Sequence, residues 1–440
     1  MPARIEHDKC IAAFAIEDRV DFAFFDGEVC GFTELIEGDS YFENVRRRME
    51  GLLRKLVVEK GYIGKVRELF GRIESIIIST AGVVEGNASV VQCPLWAWET
   101  QDIITWNWRG RKKVGFNFRL ELRDIASELA HEDDNLGPLD EVSGARLLSR
   151  VFVVNDATAS AIFEYAKRVS MFGTISNDFV YIKAHEGVNV GVVELDSRGR
   201  HFNIRTTHPE LGHFYPRLHK LDLSSGYDGA CPFHGNCLEG MVAPASFVER
   251  SMLEGQNPMF DGWARFRKRI RFRASASTIS GSDREATERR NAVLTNQIVG
   301  GGRDPSTKKE YPGTNDGIEF VAFYLSQLVH QLAIGPLAPS QIVLGGRLAR
   351  EKVVAAVRRR VVDMVKEYPL RRDLVFEIER FIVRTAATTK EKAQIEVAGG
   401  LLLALSRASA ETQNLDLSRI PAIPIPESLQ PLPLPQIVRP

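Results

Sequence analysis

The residue types best suited to hold a metal gather in one stretch of this 440-residue chain. Cys231, His234 and Cys237 recur every third residue in Cys231-Pro-Phe-His-Gly-Asn-Cys237, and His213 lies a short way upstream. Two cysteines and two histidines suit Zn²⁺, which takes four soft or borderline ligands in a tetrahedron. The same stretch carries Glu210, in His208-Pro-Glu-Leu-Gly-His213, and Glu239, just past Cys237. Metal ligands are thus interleaved with carboxylates that can accept from hydroxyl groups, which reads as a site and not merely a crosslink. A reduced Cys/His loop without metal is the plain alternative. A second candidate pair, Asn155-Asp156, follows the apolar run Val151-Phe-Val-Val154. Taken alone, that pair reads more often as a helix N-cap than as a catalytic group.

These residues need a scaffold, and the sequence outlines one. Ile11-Ala-Ala-Phe-Ala-Ile16 and Val20-Asp-Phe-Ala-Phe-Phe25, with Asp26-Gly27 turning into a third short run, read as a strand meander. Phe42, Val45, Met49, Leu52, Leu53, Leu56 and Val57 recur at helical spacing, an amphipathic helix facing a sheet. Ile76-Ile-Ile78 is a buried strand, and Val151 to Val154 is another that feeds a helix from about Ala157, with a Trp-rich stretch between them (Trp96, Trp98, Trp106, Trp108). Phe179-Val-Tyr-Ile182, Val190-Gly-Val-Val193 and Ile342-Val-Leu344 repeat the theme, the last ending in Gly345-Gly346. Alternating strands and helices over this length imply an α/β protein of more than one domain.

Composition narrows the function classes. Fifty-seven basic residues balance 57 acidic ones, so no global charge favours nucleic acid or an anionic membrane. The five cysteines do not form a secreted disulfide framework, the opening Met-Pro-Ala-Arg-Ile-Glu-His-Asp lacks the apolar core of a signal peptide, and no later run reaches a membrane span. A cytoplasmic protein is expected. Residues 261–317 are polar, basic and Gly-rich, as in an insertion between core elements. Within them Arg265, Arg267, Arg269, Arg271 and Arg273 take every second position, with Phe266, Ile270 and Phe272 opposite if the segment is a strand. That strip reads as a solvated basic edge, with phosphate or nucleic-acid binding as the second reading. Residues 411–440 hold seven of the 20 prolines and are expected to be extended chain open to a protein partner.

The motifs resemble the ROK family (repressors, open reading frames and sugar kinases), closest to its bacterial fructokinase branch. The resemblance rests on Val154-Asn-Asp156-Ala, His208-Pro-Glu-Leu-Gly-His213, Cys231-Pro-Phe-His-Gly-Asn-Cys237-Leu-Glu-Gly240 and Ile342-Val-Leu-Gly-Gly346, in that order. It implies a two-lobed, actin-like and hexokinase-like (ribonuclease H-like) α/β fold with a zinc-binding loop. The lobes would span 1–170 and 171–389, with a helix at 390–410 returning to the first. It also implies that His213, Cys231, His234 and Cys237 ligate a structural zinc. Asp156 would be the general base of phosphoryl transfer, and Asn155, Glu210, His213 and Glu239 would contact a hexose or amino sugar. Gly187, Gly345 and Gly346 would be what remains of the nucleotide site. Homodimers are common in the family. Its repressors carry an N-terminal helix-turn-helix for which this sequence shows no counterpart, so operator binding is not expected.

Two departures bear on activity. The first phosphate turn of family kinases, rich in glycine, corresponds here to Ala15-Ile-Glu-Asp-Arg19, and the second to His185-Glu-Gly-Val-Asn189, which keeps only Gly187. Glu17, Asp18 and Glu186 add negative charge where phosphates would approach. A carboxylate about 4 Å from a phosphate costs roughly 1 kcal/mol in water and about 4 at an intermediate dielectric. The expectation is a sugar-binding protein of degenerate kinase type that does not take Mg-ATP in the ordinary way. The alternative is an active ATP-dependent kinase in which one of these acids, or Arg19 or Lys183, rebuilds the phosphate site.

Overall fold

The computed structural model describes residues 9–17, 19–36, 41–86, 88–92, 116–134, 138–172, 178–185, 187–194, 210–231, 234–253, 293, 295–301, 307–335, 337, 339–366, 373–387 and 395–408. The tryptophan stretch, His208, Asp18, Glu186, the Arg265–Arg273 strip and the proline-rich tail lie outside them.

The chain divides into two compact units. The first begins with β1 (Cys10–Ile16), β2 (Arg19–Phe25) and β3 (Val29–Leu35), joined by short turns into antiparallel hairpins. Helices α1 (Tyr41–Glu59) and α2 (Val66–Arg72) lead to β4 (Ile73–Thr80). A small antiparallel sheet follows, β5 (Val83–Glu85), β6 (Ser89–Gln92) and β7 (Phe116–Asn117), which the sequence reading did not anticipate. Then come α3 (Phe118–Asp134), α4 (Glu141–Arg150), β8 (Val151–Asn155) and α5 (Asp156–Phe172). The main sheet has the order β3-β2-β1-β4-β8, with β1, β4 and β8 parallel. β1 has neighbours on both edges, and all seven of its residues are buried, which explains the unbroken apolar run Cys-Ile-Ala-Ala-Phe-Ala-Ile. Val45, Met49, Leu52, Leu53 and Leu56 of α1 point into the same core, as their helical spacing requires.

The second unit contains β9 (Asp178–Ala184) and most of β10 (Val188–Glu194), then a 3-10 turn at Leu211–His213. Short helices α6 (Lys220–Ser225), α7 (Leu238–Val242) and α8 (Pro244–Leu253) follow, then α9 (Asn315–Ile334), β11 (Gln341–Gly345), α10 (Glu351–Val365), α11 (Asp373–Phe381) and β12 (Ile382–Arg384). Its sheet runs β10-β9-β11-β12, with β9, β11 and β12 parallel. Thr314 caps α9 by accepting from the Gly317 amide, so the helix begins inside the stretch read as an insertion. Ile298 and Val299, inside the stretch read as an insertion, are already part of this core. α9 is the one helix among the described residues long and apolar enough to cross a membrane, but 67% of its apolar window is buried inside the protein, which accounts for its composition.

The last helix, α12 (Ile395–Ala408), belongs to the first unit, where it packs on α5, β1 and β4. The approach is close: a Cβ at Gly399 would lie 1.9 Å from the Ala159 carbonyl oxygen. Both units are therefore α/β, as the alternating pattern implied.

Candidate functional site

The ligand atoms of His213, Cys231, His234 and Cys237 all lie within 4.8 Å of one another. His213 ends the 3-10 turn, Cys237 caps the N-terminus of α7, and Cys231 and Gly235 close a small loop through paired backbone bonds. The His213 Nδ1 is 3.5 Å from the Cys237 Sγ and 3.7 Å from the Cys231 Sγ, and the His234 Nδ1 is 3.8 Å from the Cys231 Sγ. In a tetrahedral shell with Zn–S of about 2.3 Å and Zn–N of about 2.05 Å, a sulfur and a nitrogen stand about 3.6 Å apart. These three nitrogen–sulfur edges lie within about 0.3 Å of that value.

Charge supports the same fit. Burial lowers the His213 pKa, but bonding to Cys231 and the nearby Glu239 and Glu210 carboxylates outweigh it, giving about 8. The Cys237 thiol is raised, first by its bond to Cys231 and then by burial. Two buried thiols this close resist ionising together unless a cation lies between them, and a divalent ion supplies that charge. These four residues could hold a metal.

With Nδ1 turned to the sulfurs, the His213 Nε2 faces the other way, 4.0 Å from the Glu210 Oε2. Glu210 accepts from the Asn189 side-chain amide at 3.2 Å, and the Asn189 Oδ1 accepts from the Val190 amide at 2.7 Å. Glu239, in the first turn of α7, accepts from the Val188 amide at 3.0 Å. Its carboxylate lies directly on the β9–β10 turn: a Cβ at Gly187 would be 2.4 Å from the Glu239 Oε2. Glu210, His213, Glu239 and Gly187 are thus brought together within the second unit. Asn189 joins them, a residue that sequence reasoning had weighed only as a lost glycine.

Asn155 and Asp156 sit in the first unit, at the end of β8 and the start of α5. Asn155 donates to the Gly82 carbonyl at 3.0 Å, and both side chains approach the Ala157 amide, at 2.9 and 2.7 Å. The helix-capping role foreseen for this pair is therefore present. Asp156 is also only 7% exposed, in the first turn of α5.

The proposed nucleotide glycines have a structural explanation of their own. A Cβ at Gly345 would lie 1.8 Å from the Tyr181 hydroxyl oxygen, and one at Gly346, whose φ is +90°, would lie 2.2 Å from the Ala184 carbonyl oxygen. Packing of β11 on β9 alone demands glycine at both. In the β1–β2 turn, Arg19 donates to Asp21 at 2.8 Å, and Thr33 donates to the other Asp21 oxygen at 2.6 Å, so the guanidinium is already engaged on the sheet.

A buried charge network with no local sequence signature is tied to α7. Arg250, with no exposure, donates to Asp222 at 2.7 and 3.0 Å, to the Ser246 hydroxyl at 2.8 Å and to the Met241 carbonyl at 2.9 Å. Its guanidinium lies 4.1 Å from the Tyr227 ring centre, and Tyr324 donates its hydroxyl to Asp222. Burial opposes the charge on Arg250, but Asp222 outweighs it and the pKa is raised. The Met241 bond ties this network to α7, the helix that bears Glu239 and is capped by Cys237.

No family model matches the chain. Among curated proteins, a fructokinase from Streptococcus mutans is 30% identical over 105 residues, which are 24% of this chain and 33% of that protein. A putative fructokinase from Bacillus subtilis is 33% identical over 97 residues, 22% of this chain and 28% of that protein. The chain spans about a third of the length of these curated relatives. Among solved structures, a ROK family transcriptional regulator, homologous to the E. coli MLC protein, is 17% identical with a TM-score of 0.49, covering 91% of this chain and 79% of that one. A ROK family glucokinase from Streptomyces griseus, in complex with glucose and AMPPNP, is 14% identical with a TM-score of 0.47, covering 89% and 98%.

Proposed function

The chain resembles the ROK family on its fructokinase branch, and on that premise we propose that it is a ROK-type sugar-binding protein that has lost ordinary Mg-ATP-dependent phosphoryl transfer. It would act as a sensor, regulator or assembly partner in the cytoplasm. The observation that carries this reading is the occupancy of the β9–β10 turn. The Val188 amide, a donor that a phosphate would need there, is bonded to Glu239, and the carboxylate covers Gly187. An anion approaching that turn meets negative charge and a backbone donor already in use. The engagement of Arg19 by Asp21 supports the same conclusion for the β1–β2 turn.

The sugar half is supported by the donor and acceptor set. Zinc held by His213, Cys231, His234 and Cys237 would be structural, since all four tetrahedral positions are filled by protein. Its chemistry is to fix the loop and to orient the His213 ring. His213 would then donate from Nε2 to a hydroxyl oxygen, while Glu210 and Glu239 accept hydroxyl protons from a hexose or amino sugar. For Asn155 and Asp156 the family resemblance suggests sugar-contacting roles of their own, Asp156 accepting from a hydroxyl.

The burial of Asp156 at a strand end favours a second reading, an active kinase with this residue as general base. A thermal-shift panel of hexoses and amino sugars, with and without Mg-ATP, separates the two. Stabilisation by sugar alone fits the first reading. A further shift with Mg-ATP, together with release of a sugar phosphate, would support the second and defeat the first.

A further inference from the structure

We infer that Asn189 is a positioning residue of the polyol pocket, and that the β9–β10 turn holds the two sugar-binding carboxylates in place of an anion. This rests on the reading that Glu210 and Glu239 bind a sugar. The geometry gives each acid its own anchor on adjacent residues of one turn: the Val188 backbone amide for Glu239 and the Asn189 side chain for Glu210. The Asn189 amide cannot be reversed without loss, because its oxygen accepts from the Val190 amide and its nitrogen donates to Glu210. That pair of bonds fixes which way the Glu210 carboxylate faces. An ionised carboxylate accepts about four hydrogen bonds, so the Asn189 bond does not by itself preclude a ligand hydroxyl.

The ligand class follows from the same atoms. The Glu210 Oε2 lies 4.0 Å from the His213 Nε2 and the Glu239 carboxylate sits on the adjoining turn, a set that accepts from hydroxyl donors and repels anions. The turn therefore selects a neutral, unphosphorylated polyol over its phosphate ester. An aspartate at 189 would keep the shape but set a third carboxylate against Glu210, and an alanine would leave the carboxylate without this anchor.

The test uses the full chain loaded with zinc and calorimetric titration with the hexose that stabilises it most, its 6-phosphate and its monodeoxy analogues. Wild type is expected to bind the hexose and not the phosphate. Asn189→Ala should weaken the hexose about tenfold, the effect of losing one hydrogen bond to a charged group, with zinc content and melting temperature retained. For the one monodeoxy analogue that lacks the hydroxyl Glu210 receives, Asn189→Ala should cost nothing further. Asn189→Asp, of the same shape, should lose more than Asn189→Ala, and it carries the comparison should the alanine variant not fold. Unchanged hexose affinity in both variants, or an equal loss for every analogue, overturns the role of Asn189 while leaving the sugar reading intact. Preference for the 6-phosphate overturns the assigned ligand class. A wild-type chain that binds no hexose at all removes the sugar reading and this inference with it.

Discussion

Replacing Arg250 with methionine should be among the most damaging single changes in the second unit. Asp222 and Arg250 are 1% and 0% exposed, and two short bonds join them, so the variant leaves a buried carboxylate without its cation. Breaking such a pair from one side costs about 3–5 kcal/mol. Loss of the guanidinium from the Tyr227 face, 4.1 Å from the ring centre, adds about 1 kcal/mol, which the apolar methionine partly offsets. The Tyr324 hydroxyl still donates to Asp222, so a net loss of about 4 kcal/mol is expected. That is a large share of the roughly 5–15 kcal/mol that stabilises a typical domain. Urea unfolding of wild type, Arg250→Met and the double variant Asp222→Asn with Arg250→Met measures it. The double variant should recover more than half of the loss, because the stranded charge is gone. Since Arg250 also donates to the Met241 carbonyl of α7, the single variant should release zinc to a chelator faster. A loss below about 1 kcal/mol, or a double variant no better than the single one, would mean that the buried pair does not stabilise the fold in this way.

Three further outcomes are expected. Gly346→Ala, with φ at +90° and a Cβ 2.2 Å from the Ala184 carbonyl, should cost about 2 kcal/mol or more in urea unfolding, whether or not nucleotide is present. His219 accepts from the Leu221 amide at the start of α6, and burial lowers its pKa to about 4. Being neutral in the folded chain while the unfolded chain titrates near 6.5, it contributes stability that is complete above 6.5 and lost as pH falls from there toward 4. His219→Asn, which keeps the cap, should flatten the urea midpoint between pH 7 and pH 5 relative to wild type. Cys237→Ser should lower bound zinc, read by elemental analysis, from one per chain to a substoichiometric level and weaken sugar binding in parallel.

How far the sequence reaches depends on the distance over which each feature is encoded. Cys231, His234 and Cys237 are legible because their spacing alone brings three ligands to one loop. β1, β4, β8, β9 and β11 are legible because strands buried on both faces appear as continuous apolar runs. The bonds that hold Glu210 and Glu239 are not local. Asn189 meets Glu210 across 21 residues, and Val188 meets Glu239 across 51. No periodicity announces either pairing. Asp222 and Arg250, 28 residues apart, read in sequence as ordinary surface charges, because nothing local marks a charge destined for burial. Gly345 and Gly346 show the opposite limit, since a strand-end Gly-Gly fits a nucleotide turn and close packing on Tyr181 and Ala184 equally well until the neighbours are visible.

If Glu239 closes the phosphate turn of a zinc-ordered polyol site, the zinc-loaded chain should fail as a kinase. A phosphoryl-transfer assay tests this, with the best-bound hexose and Mg-ATP both at saturating concentration and the sugar products resolved by mass. Expected are bound hexose, no sugar phosphate above the uncatalysed background and no added stabilisation from Mg-ATP. Steady multiple-turnover formation of a hexose phosphate, abolished by Asp156→Asn, would instead establish an active kinase.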